Sequence, residues 1–83
     1  MTRQPRDVSG DDLIKRLRKL DYAKLRQEST HITVVTELND RHPITIPRHN
    51  PIKPGTLHGI LRDVAAHHKM SPSELIDLLF SKR

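Results

Sequence analysis

Two cationic side chains and an imidazole lie within eight residues in Lys24-Leu-Arg-Gln-Glu-Ser-Thr-His31. An imidazole with its ordinary pKa of about 6.5 gives or takes a proton near neutral pH. Lys24 and Arg26, with Arg48 further along, can hold the charge of a phosphate. A phosphodiester that carries its own nucleophile, the 2′-hydroxyl of RNA, needs little more. It needs a proton acceptor or donor, and cations for the charge that grows on the phosphoryl oxygens. Acid–base cleavage of RNA without a metal is thus within reach of these residues. The competing reading of His31 is a surface histidine that closes a hairpin.

Other chemistries find less support. Cysteine is absent, which excludes disulfides and thiolate metal sites. His67 and His68 are adjacent, so on a helix they point about 100° apart and chelate poorly. His58 lies too far before them to share a site along one helix, and no H-E-x-x-H occurs. No metal and no small-molecule cofactor is therefore expected. Ser29 and Thr30 precede His31, but no G-x-S-x-G elbow and no G-x-x-x-x-G-K-[ST] loop is present, which argues against a serine nucleophile and against nucleotide hydrolysis.

Charge points to a polyanionic partner. The chain of 83 residues carries a formal +5, and the excess is not spread evenly. Residues 41–69 hold Arg41, Arg48, Lys53, Arg62 and Lys69 against Asp63 alone, together with five of the six histidines. Such concentration favours a polyanion over a neutral ligand, although a merely solvated basic surface would look the same. No apolar run approaches the ~20 residues that span a bilayer, and the N-terminus has no signal-peptide core, so a cytoplasmic location is expected.

The elements that must position these residues can be read in order. Residues 1–8 are polar and read as a flexible lead-in; residues 9–83 form a single domain. Ser9, with Asp11 and Asp12 behind it, starts a helix whose apolar stripe is Leu13, Ile14, Leu17 and Leu20, ending near Asp21. Lys15, Arg16, Arg18 and Lys19 occupy the remaining arc. Tyr22 to Glu28 reads as a first strand and His31 to Glu37 as a second, rich in β-branched residues. Asn39-Asp40 marks a hairpin turn, and His42 to Ile46 a third strand, with Pro43 arguing for an edge position or a strand start. The segment from Pro47 to Gly55, with three prolines, is a crossover loop. A helix to His67 follows, with Leu57, Ile60, Leu61 and Val64 in its stripe. Ser71-Pro72-Ser73-Glu74 starts the last helix, which should bury Leu75, Ile76, Leu78, Leu79 and Phe80. The order is α-β-β-β-α-α, an α+β fold whose helices cover one face of a three-stranded antiparallel sheet.

Alternation along unbroken strands would turn Leu25, Ile32 and Val34 toward the helices. Lys24, Arg26, His31, Thr33 and Val35 would then share the open face. This facing rests on unbroken strands; a bulge would reverse it.

Three stretches carry a family likeness: Arg26-Gln27-Glu28-Ser29-Thr30-His31, Ile46-Pro47-Arg48-His49 and Gly55-Thr56-Leu57-His58-Gly59-Ile60-Leu61. In this order and spacing the chain resembles the HicA toxins of HicAB toxin–antitoxin modules over about residues 9–80. The resemblance implies a fold of the double-stranded-RNA-binding-domain type and a metal-independent endoribonuclease, an mRNA interferase. It implies His31 as the catalytic residue, mRNA as substrate and a HicB-type antitoxin over the active face. Lys24, Arg26, Thr30, Arg48, His49 and Lys53 are the expected RNA contacts. Ser29 and Thr30 stand where the family has glycine and serine, and Asp21 where many members have glycine before an aromatic residue. Two alternatives remain at this point: an RNA-binding module of the same fold that cuts nothing, and an inactive subunit that acts only by pairing with another protein.

Overall fold

In the computed structural model, residues 4–80 are described. Residues 1–3 of the expected lead-in and 81–83 at the end of the expected domain lie outside the described residues. The observed order is α1 (Gly10–Leu17) with a 3-10 turn over Arg18–Leu20, β1 (Ala23–Gln27), β2 (His31–Thr36), β3 (His42–Pro47), α2 (Pro54–His67) and α3 (Pro72–Phe80). This is the α-β-β-β-α-α arrangement expected. The sheet is antiparallel in the order β1-β2-β3, so Pro43 does lie in an edge strand.

Each helix starts where its chemistry says it should. The Ser9 hydroxyl accepts the Asp12 N–H at 3.0 Å, and Asp11 and Asp12 sit in the first turn, beside the positive end of the helix dipole. Val8 precedes this cap and is buried with Leu13, the spacing of a hydrophobic staple. At α3 the Glu74 N–H donates to Ser71 Oγ at 3.1 Å, while the Glu74 carboxylate accepts the Ser71 N–H at 2.8 Å. Those hydrogen bonds hold the Glu74 carboxyl below its usual pKa. Asp21 ends the first helical segment in the left-handed region (φ 63°), the conformation glycine adopts at least cost. Asn39 and Asp40 also have positive φ, as the β2–β3 turn demands.

The core lies between the helices and one sheet face. Ile32, Val34, Ile44 and Ile46 pack with Leu13, Leu17, Leu57, Leu61, Val64, Leu75 and Leu79. Ile52 reaches into it from the crossover loop and donates its N–H to the Val8 carbonyl at 2.8 Å, which fixes a segment too proline-rich for regular structure. Leu78 departs from expectation: it is exposed, on the side of α3 away from the core stripe.

The cationic arc of α1 divides in two. Arg16 donates to the Leu79 carbonyl and Lys19 to the Leu78 carbonyl, both at 3.0 Å, and Arg16 also lies 4.6 Å above the Phe80 ring. These cations cap the negative end of α3. Lys15 and Arg18 are turned toward β1 instead. No described helix is long and apolar enough to cross a membrane.

Candidate active site

The hairpin between β1 and β2 sets the position of His31. Its Glu28 N–H donates to the His31 carbonyl at 2.8 Å, and the Arg48 N–H donates to the Thr30 carbonyl at 2.8 Å. The turn is therefore tied to the chain leaving β3. Neither Ser29 nor Thr30 has a positive φ, so this turn is made without the left-handed backbone that favours glycine. Ser29 therefore stands in this turn without backbone strain.

His31 is exposed, and its Nδ1 lies 2.8 Å from Thr30 Oγ1. A hydroxyl can donate to a bare Nδ1 or accept from a protonated one, so Thr30 can orient the ring in either tautomer. Nε2 is then the atom available for proton transfer. His31 shares its face with Thr33 and Val35, opposite the buried side chains of Ile32 and Val34. Across the strands, Arg26 pairs with Thr33 and is the diagonal neighbour of His31 on that face.

Lys24 is not on that face. The register runs Ala23–Val35, Lys24–Val34, Arg26–Thr33 and Gln27–Ile32, so Leu25 is the extra residue of a β-bulge. Paired residues share a face, which places Lys24 with Val34, on the helix side of the sheet. Its ammonium donates to Gln27 Oε1 at 2.9 Å, a contact that unbroken alternation would forbid. Leu25, expected inside, is instead 53% exposed. The cause is the single inserted residue, which hydrophobic patterning does not announce.

Arg48 also faces the helix side, with its Nε 3.6 Å from Asp11. His49 is exposed, and its carbonyl accepts the Gly10 N–H at 2.9 Å. Lys53 is exposed and provides the extended N-cap residue of α2. The expected RNA contacts therefore separate into two groups. Arg26 and Thr30 accompany His31, while Lys24 and Arg48 line a cleft behind the hairpin. His49 and Lys53 sit on the crossover loop.

A second polar cluster, which sequence reasoning missed, lies at the other end of the sheet. The Tyr22 hydroxyl is 2.6 Å from His42 Nδ1 and 3.1 Å from His68 Nε2. His42 Nε2 is 3.3 Å from Asp63, and His68 Nδ1 is 3.1 Å from the Asn39 amide nitrogen. Donors and acceptors assign themselves along this chain. Asn39 donates to His68, His68 Nε2–H to Tyr22, Tyr22 O–H to His42, and His42 Nε2–H to Asp63. His67 stacks on His42 at 4.2 Å between ring centres. The partners are 20 to 46 residues apart, and only the His67-His68 doublet hinted at them. Among the described residues no group of three or more His, Asp or Glu side chains is placed to hold a metal ion.

Burial, with the Asp63 charge second, raises the Tyr22 pKa to about 12, which keeps the hydroxyl as a donor. Burial and then the neighbouring His67 and His42 push His68 below 6.5. The unfolded chain therefore takes up this proton before the folded chain does, and the linked stability is full above about pH 6.5 and is lost as pH falls below it. Thermal melts between pH 7.5 and pH 5.5 should show a larger drop for the parent than for His68→Gln. Equal drops would exclude His68 as the source.

The family model described as HicA toxin of bacterial toxin-antitoxin matches residues 10–65, which include the whole sheet, the His31 hairpin and nearly all of α2. Comparison with the curated proteins and with the solved structures gave no match.

Proposed function

Because the chain belongs to the HicA toxin family of bacterial toxin–antitoxin systems, and so pairs with an antitoxin, we propose that it is a metal-independent endoribonuclease acting on mRNA through His31. The observation that carries this reading is an exposed imidazole with Nδ1 held by Thr30, beside Arg26 on the sheet face that the helices leave open. In the proposed step the 2′-oxygen forms a bond to phosphorus and the bond to the 5′-oxygen breaks. His31 Nε2 takes the proton of the 2′-hydroxyl or supplies one to the departing 5′-oxygen, and solvent water exchanges the other proton. Arg26 stabilises the charge on the non-bridging oxygens, and Arg48, His49 and Lys53 extend the contact along the strand. The expected products end in a 2′,3′-cyclic phosphate and a 5′-hydroxyl.

The antitoxin, by this reading of the HicB type, would lie over the open sheet face. Exposed Leu25 and half-buried Val35 would offer it an apolar footing.

The direct test is incubation of mRNA with the purified chain, with and without chelator, followed by end analysis. Cleavage that persists in chelator and leaves cyclic phosphate ends is the expected result. RNA bound but left intact would instead identify a binding module, and cleavage abolished by chelator would overturn the metal-independent step.

A further inference from the structure

We infer that the cleft between α1 and the first hairpin is a second phosphate site, which holds the backbone of the RNA strand whose scissile bond lies at His31. The inference rests on the ribonucleotide substrate proposed above. The cleft has a volume of about 240 Å³, ample for a phosphate group, and Tyr22 and Ile32 are among the residues that line it. Four cations border it: Lys15, Arg18, Lys24 and Arg48. They come from α1, from β1 and from the chain after β3, so no local run of basic sequence accounts for their meeting.

The fold brings them there by two specific departures. The bulge at Leu25 puts Lys24 on the helix side, where regular alternation would have put it beside His31. The α1 arc sends Arg16 and Lys19 to the end of α3 and leaves Lys15 and Arg18 at the cleft. Asp11 is the one carboxylate among the lining residues, and it stands 3.6 Å from Arg48. Lys24 has the neutral Gln27 amide as a partner. Four like charges around one depression repel one another, and a polyanion between them relieves the repulsion.

The cleft and the imidazole are two sides of one hairpin end. Arg48 borders the cleft and its N–H holds the Thr30 carbonyl; Gln27 borders it and pairs with Ile32, next to His31. A strand that passes over this end meets both. The cleft then anchors a phosphate beyond the scissile one. It tightens binding without touching the transferred proton, so its loss raises KM and leaves kcat in place.

The test uses the full chain with His31→Ala, in which cleavage should be slow enough to read binding, and a short single-stranded oligouridylate read by fluorescence anisotropy over a salt series. Lys15→Gln with Arg18→Gln should weaken binding about tenfold and reduce the salt slope by about 0.7 for each cation removed. Arg41→Gln with Arg62→Gln removes the same charge away from the cleft and should leave affinity within about twofold. Equal losses in both pairs would show a response to net charge alone and overturn the site. Tight binding that the Lys15/Arg18 pair does not change would overturn it too, with the ribonuclease reading left standing. No salt-dependent affinity in the His31→Ala chain would bring down both. In the cleaving chain, a fall in kcat with KM unchanged would also overturn the anchoring role.

Discussion

His31→Ala is expected to lower RNA cleavage by about 10²- to 10⁴-fold, the usual worth of a positioned acid or base, and to leave the fold in place. The side chain is exposed, it bonds the adjacent Thr30 hydroxyl, and it lies outside the core. Stability should therefore change by no more than about 0.5 kcal/mol. Cleavage rate and thermal melting on the same preparation separate the two quantities. In cells without an antitoxin, the variant should no longer arrest growth. A variant that cuts and arrests like its parent would remove His31 from the mechanism. Thr30→Val should cause a smaller fall in kcat, since the ring loses its orienting hydroxyl but keeps its nitrogen; Thr30→Ser should restore it. That rescue separates positioning of the imidazole from simple occupancy of the turn.

Gly10→Ala is expected to cost about 1–3 kcal/mol, which in a domain of this size lowers the melting temperature by about 4–8 °C for each kcal/mol. A Cβ on Gly10 would collide with the Pro47 carbonyl, and the next nearest atoms are also backbone, at Pro47 and Arg48. No side chain can swing aside. Relief would require α1 to draw away from the end of β3, which breaks the Gly10 N–H bond to the His49 carbonyl. The same end of β3 holds Thr30 through Arg48, so cleavage should fall together with stability. Gly59→Ala is the contrast: nothing lies near a Cβ there, and the residue is inside α2. It should stabilise the chain by roughly 0.5–1 kcal/mol. Melts of the two variants should shift in opposite directions, and two shifts of the same sign would contradict the packing described at Gly10.

Helices and strands were legible because their signals are local. Ser9 and Ser71 are caps whose partners stand three residues away, and β2 alternates from His31 to Thr36 without interruption. The placement of His31 on the open face follows from that strand alone. Lys24 was misplaced because facing in β1 depends on pairing with β2, and one extra residue changes the count without altering composition. Leu25 looked like a core residue for the same reason. The Tyr22–His42–His68 network left only the His67-His68 doublet as a local signal, since its members meet only after the sheet and α2 have packed. Gly10 was likewise silent: a glycine after a helix cap is unremarkable until another backbone is seen against it.

The bulge also makes the pairing of the first strand independent of one residue, Leu25. Without Leu25, the pairs Ala23–Val35, Lys24–Val34, Arg26–Thr33 and Gln27–Ile32 would simply be consecutive. Tyr22 would still reach the histidines, Lys24 would still line the cleft and Arg26 would still stand beside His31. Removal of Leu25 would therefore keep Lys24 and Arg26 on their present faces, whereas a further inserted residue would need a bulge of its own.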